Sequence, residues 1–167
     1  MWKGCRVMVE QIMSLGGLSN MIAKKVYASH APSVQARGIA EHVHGCQLVE
    51  KLLPLCEEYG LCIDLYDGED YTPITSVEDM AKHMNACDIE WLCLGDCNLD
   101  RTEDDDITYV SVVLVYGNCA DDPEIGRGEM IADWSASCTD WWDIFNPVLD
   151  DFINDYYIQK KAEEVTV

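Results

Sequence analysis

Three short apolar runs, at residues 61–66, 89–94 and 107–116, are separated by dense carboxylate clusters, and this alternation restricts the chain to few folds. The run at 107–116, ITYVSVVLVY, is rich in β-branched residues, and the run at 61–66 alternates apolar with other side chains. Both patterns predict strands. In the run at 89–94, Trp91 and Cys93 fall on one strand face, with Glu90 and Leu92 on the other. Asp67-Gly68 is a turn signal directly after the first strand, and Gly117-Asn118 ends the third.

The flanking segments have helical spacing. Apolar residues recur every three or four positions from Val34 to Tyr59, with Gly45 and Pro54 as interruptions and Gly60 as a left-handed stop. This predicts two helices or one bent helix. Before it, residues 1–30 read as broken helices, divided at Gly16-Gly17. Ser76, followed three residues later by Asp79, resembles a capping box and starts a short helix reaching about residue 86. Residues 130–134 read as a short strand or turn. A final helix over 141–159, capped by Ser137 or Thr139 and bent at Pro147, turns Asp143, Asp150, Asp151 and Asp155 outward. The expected fold is α+β: a small, mainly antiparallel sheet of three to four strands with N-terminal helices and a C-terminal helix packed on it. Residues 1–60 form a helical region, 61–160 an acidic α/β core and 161–167 a frayed tail, all within one compact unit.

Composition narrows the function. The formal net charge is −20, carried unevenly. Residues 1–53 hold six bases and three acids, leaving 28 acids and five bases for the remainder. Such a field repels nucleic acids and anionic membranes and attracts basic partners. The longest apolar stretch is too short to cross a bilayer, and the N-terminus lacks the apolar run of a secretory signal. Nine cysteines, an odd number without a C-x-x-C, suit small buried hydrophobes in a reducing compartment better than a disulfide framework; Cys62 and Cys93 lie within apolar runs. These features predict a cytoplasmic protein.

Few residues assemble into chemistry. Asp96-x-Asn98-x-Asp100 begins a calcium-loop pattern, but Arg101 replaces its glycine and Ile107 its bidentate glutamate. His42-x-His44-x-Cys46 brings borderline metal ligands together without a second cluster, and reads as helix-surface histidines beside a buried cysteine. The chain has no G-x-S-x-G, no P-loop and no G-x-G-x-x-G, so no catalytic residue, metal or cofactor is assigned. The acidic clusters are the stronger signal: Asp96, Asp100, Glu103, Asp104, Asp105 and Asp106, then Asp121, Asp122 and Glu124. Trp141 and Trp142, adjacent on a helix, cannot both face one core, so they are the candidate interface aromatics.

The segment CIDLYDGEDYTPITSVEDMAKHMNACDIEWLCLGD, then VVLVYGN, then ADDPEIGRGEMIADWS, resembles a group of small bacteriophage proteins. In these a strand runs into a D-G-E-[ED]-[WY] turn, a helix and two strands follow, and an acidic stretch ends in A-D-[WY]-S. The matching residues are Asp67, Gly68, Glu69, Asp70 and Tyr71, then Gly117 and Asn118, then Ala132, Asp133, Trp134 and Ser135. The resemblance covers about half the chain, implies phage origin and carries no activity. Small, strongly acidic phage proteins are similar in character to antirestriction and anti-CRISPR inhibitors. The expectation is therefore an inhibitor in the cytoplasm of a bacterial host. It would bind a basic nucleic-acid-binding defence protein or complex and would itself bind neither nucleic acid nor membrane. Self-association as a homodimer stays open. The alternatives are a Ca/Mg-dependent module or enzyme built on the 96–106 loop, or a phage structural or assembly accessory.

Overall fold

The computed structural model describes Met21 and residues 32–84, 88–97, 108–116 and 131–164, with side chains at 41–84, 88–97, 108–116 and 131–153. The expected helices before residue 31 lie outside these residues. In chain order the elements are α1 (Pro32–Tyr59), β1 (Leu61–Tyr66), β2 (Tyr71–Ile74), α2 (Val77–His83), β3 (Ile89–Asp96), β4 (Thr108–Val115), β5 (Ile131–Ala136) and α3 (Thr139–Glu164). The fold is α+β, and the sheet has five strands in the order β2-β1-β3-β4-β5, every neighbouring pair antiparallel.

The strand absent from the sequence expectation is β2. Pro73 lies inside it, and a proline inside a sheet is tolerated on an edge, where its missing N–H costs no ladder bond. The β1–β2 hairpin closes through Asp67–Asp70. One carboxylate oxygen of Asp67 accepts from the amides of Glu69 and Asp70, both at 2.9 Å. Gly68, at φ +103°, takes the left-handed position there. The amides of Asp70 and then Glu69 hold the Asp67 carboxyl below the usual carboxylate range.

Helix α1 runs unbroken for 28 residues where an interruption was expected at Gly45 and Pro54. Gly45 makes room for a neighbour: a Cβ there would lie 2.6 Å from Cε of Met84, just past the end of α2. Pro54 and Glu50 are both exposed, so the carbonyl that Pro54 leaves without an amide faces water. Gly60, at φ +68°, ends the helix as expected. The Ser76 hydroxyl accepts from the Asp79 amide at 3.1 Å. Asp79 reaches back one residue further than a standard capping box, accepting from the Thr75 amide and hydroxyl at 3.1 and 2.7 Å. Helix α3 begins after Cys138, whose carbonyl accepts from the Trp142 amide at 3.1 Å, so the capping position falls between the two expected residues.

One face of the sheet carries the core. Leu61, Ile63, Leu65, Leu92, Leu94, Val110, Val112 and Leu114 are buried against Leu48, Val49 and Leu52 of α1, Met80 and Ala81 of α2, and Phe145, Leu149 and Phe152 of α3. The opposite face carries Tyr66, Trp91, Cys93 and Ser111, none of which belongs to this cluster.

The cysteine expectation needs correction. Cys93 is buried and forms no disulfide, but Cys62 forms a disulfide with Cys97 across a separation of 35 residues. The register brings this about: Cys62 lies opposite Gly95, so Cys97, just past the end of β3, comes within 4.9 Å Cα to Cα. No sequence spacing marks such a pairing.

Closing a loop of that length stabilises a fold by roughly 3–4 kcal/mol. Cys97→Ser should lower the urea-unfolding free energy by about that amount and abolish its dependence on dithiothreitol. Non-reducing peptide mapping that recovered no Cys62–Cys97 linked peptide would contradict the pairing.

Candidate interaction surface

Helix α3 displays two opposed faces. At about 100° per residue, Phe145, Leu149 and Phe152 point to the sheet, and Asp140, Asp143, Asp150 and Asp151 fall within an arc of roughly 100° on the far side. All four aspartates are exposed. Residues 139–153 contain no lysine, arginine or histidine. Asn146 donates to Asp150 at 2.9 Å across one helical turn, orienting that carboxylate. Asp140, in the first turn, also sits favourably on the helix dipole. From Asp140 to Asp151 the axial rise is about 16 Å. One strand of B-DNA places about five phosphates over that length. Four carboxylates on one ridge, with no base in residues 139–153, approach the same charge.

Aromatic rings fix the helix to the sheet. Trp141 stacks on Tyr109 at 5.1 Å between ring centroids and meets the edge of Tyr59 at 6.0 Å. A β-bulge between the 94–110 and 95–108 pairs leaves Tyr109 as the extra residue on β4. Trp142 stacks on Trp134 of β5 at 4.1 Å and is still 44% exposed. Of the two candidate interface aromatics, Trp142 is therefore the exposed one, while Trp141 belongs to the packing beneath.

Of the acidic residues singled out from the sequence, Asp96 is described. It is half-buried at the end of β3 and, with Glu57 and Asp64, lines a cavity of about 780 Å³ beside the Cys62–Cys97 disulfide. Asp100, Glu103, Asp104, Asp105, Asp106, Asp121, Asp122 and Glu124 lie outside the described residues, as do Asn98 and the rest of the partial calcium loop. Their anchors are informative. Cys97 and Thr108, which bracket the first cluster, share the end of the sheet where α3 starts, because Gly95 pairs Thr108 and Val110 pairs Ala136. The second cluster is anchored at the opposite end, where Leu114 pairs Ile131. Of this ridge, Asp143, Asp150 and Asp151 are outward-facing as their helical spacing predicts, Asp140 joins them in the first turn, and the side chain of Asp155 lies outside the described residues.

The other constellations resolve into packing. His42, His44 and Cys46 are all buried, which corrects the reading of surface histidines. His44 stacks on Phe152 at 4.2 Å. Among the described residues no group of three or more His, Cys, Asp or Glu is arranged to hold a metal. Burial pushes the thiols of Cys46 and Cys56 up to about 12, with Glu50 adding to the effect at Cys46, so neither is a nucleophile near neutral pH. No helix among the described residues is long and apolar enough to cross a membrane. Comparison with protein-family models, with curated proteins and with solved structures finds no match.

His42 provides a test of this packing. Its ring is 2% exposed against α2, and neither ring nitrogen makes a well-formed hydrogen bond. Burial lowers its pKa, with the Ala81 backbone partly opposing. The unfolded chain therefore takes up a proton near pH 6.5 that the native state refuses, and stability falls as pH drops below that value. Between pH 7.5 and 5.5 the wild type should lose on the order of 1 kcal/mol more than His42→Leu in urea unfolding. Equal losses would contradict a neutral buried ring.

Proposed function

We propose that this chain is a stoichiometric inhibitor, of the antirestriction or anti-CRISPR kind, carried by a bacteriophage and acting in the host cytoplasm. It occupies the basic nucleic-acid channel of a host defence complex by presenting carboxylates where the channel expects phosphates. The observation that carries this reading is the ridge of Asp140, Asp143, Asp150 and Asp151, exposed on α3 with no base in residues 139–153. Binding gains from charge pairing and from counterions displaced from the channel, so no covalent step is needed. Trp142, exposed at the margin of the ridge, is placed to add an apolar contact.

The test is capture of tagged protein with its partners from host lysate, in parallel with a variant carrying Asp→Asn at 140, 143, 150 and 151. The wild type should retain a nucleic-acid-binding defence complex that salt and competing DNA release. The variant, shown folded by circular dichroism, should retain at least about tenfold less. Equal capture by the variant, or a complex indifferent to competing DNA, would contradict mimicry by this ridge.

A further inference from the structure

The face of the sheet turned away from the core cluster carries an ordered pattern of side chains. Strand register sets Asp64, Cys93, Ser111 and Ser135 in one row across β1, β3, β4 and β5. The adjoining row runs Tyr71, Tyr66, Trp91, Val113 and Asp133. Over the first row, towards Thr108 and Ser137, opens a groove of about 340 Å³, with Tyr66 and Trp91 as its aromatic wall and Cys93, Ser111 and Ser135 along its floor. The wall is held in place: Tyr66 stacks on Tyr71 at 4.4 Å, sits 5.7 Å from Trp91, and its hydroxyl donates to the Gly68 carbonyl at 2.8 Å. Two carboxylates share this face without lining the groove: Asp64, paired with Cys93, and the exposed Asp133, two residues before Ser135. No strand of the sheet contains a lysine, arginine or histidine.

An aromatic wall and a floor of hydroxyls, with no base lining the groove and carboxylates elsewhere on the same face, match one kind of occupant. A guanidinium can lie over a ring face, donate several hydrogen bonds to hydroxyls and be drawn in by the negative field. An anion would be repelled, and a purely apolar group would leave the hydroxyls without partners. We infer that this groove seats an arginine side chain presented by the basic partner. The inference rests on the reading that the partner is basic, but it concerns a surface separate from the α3 ridge.

The test uses the whole oxidised chain and a short glycine-spaced triarginine peptide, with the isosteric triCitrulline peptide as the uncharged control. Affinity is measured by calorimetry and location by amide and indole NMR shifts. Any cationic peptide is drawn to a chain of charge −20, so the decisive variants leave the charge unchanged. Ser135→Trp fills the groove from an exposed edge-strand position, and Trp91→Leu removes the wall. Each should weaken the arginine peptide about tenfold, with wild-type shifts centred on Trp91, Cys93 and Ser111. Unchanged affinity in both folded variants, or equal binding of the citrulline peptide, would overturn the groove assignment. The α3 Asp→Asn variant should keep those shifts, so loss of defence-complex capture with an intact groove, or the reverse, separates failure of one reading from failure of the other.

Discussion

The packing of α1 and α3 against one face of the sheet is the contact on which the rest of the structure depends. Leu48 and Leu52 from one helix and Phe145 and Leu149 from the other are fully buried with Leu92, Val112 and Leu114 from the two central strands. Removing any one of these large side chains to alanine costs about 2–5 kcal/mol in a core of this kind. Because this core occupies a single face, it settles two other things. It leaves the opposite face free to carry Tyr66, Trp91 and the serine row. It also fixes the roll of α3, and with it the direction in which the four aspartates project.

That roll matters because the chain is heavily self-repelling. A net charge of −20 disfavours the compact state unless the acids are kept in water. Most of the described acids meet this condition. Glu57, Glu58, Glu69, Asp70, Glu78, Asp88, Asp133 and, on α3, Asp140, Asp143, Asp150 and Asp151 are exposed, whereas Glu41, Asp64 and Glu90 are buried; Glu78 pairs with Lys82 at 2.8 Å on the surface of α2. A surface arranged in this way holds unspent electrostatic free energy, which a basic partner can release on binding. The same arrangement explains why a ridge without bases is a more telling feature than the total charge. Its carboxylates are held at fixed positions by a helix whose far side is locked into the core.

Much of this organisation was legible in the sequence, and the parts that were not have identifiable physical causes. The alternation in Leu61–Tyr66 and the β-branched run of β4 gave their strands directly, and Trp91 and Cys93 lie on one side of β3 as their spacing required. Ser76 caps its helix as read, although Asp79 bonds to Thr75 where the motif would have used Ser76 itself. Pro73 hid β2, because a proline reads as a strand breaker until the strand is known to be at an edge. Gly45 reads as a helix breaker, and only the tertiary structure reveals Met84 in the space it leaves. The Cys62–Cys97 bond depends on strand register across 35 residues, which no local pattern encodes. For the candidate surface, the sequence weighted the densest acidic loops. The four aspartates of the α3 ridge are sparser, and their value comes from sharing one face of a packed helix.

The most direct test of the account is the salt dependence of the complex with the captured partner. Dissociation constants for wild type and for the Asp140, Asp143, Asp150 and Asp151→Asn variant would be measured across a series of salt concentrations. If the ridge occupies a phosphate-binding channel, the wild-type affinity falls steeply with salt and the variant's logarithmic slope is markedly shallower, because fewer counterions are exchanged on binding. Identical slopes would mean that these carboxylates do not meet the partner's basic groups, and the mimicry account would be wrong.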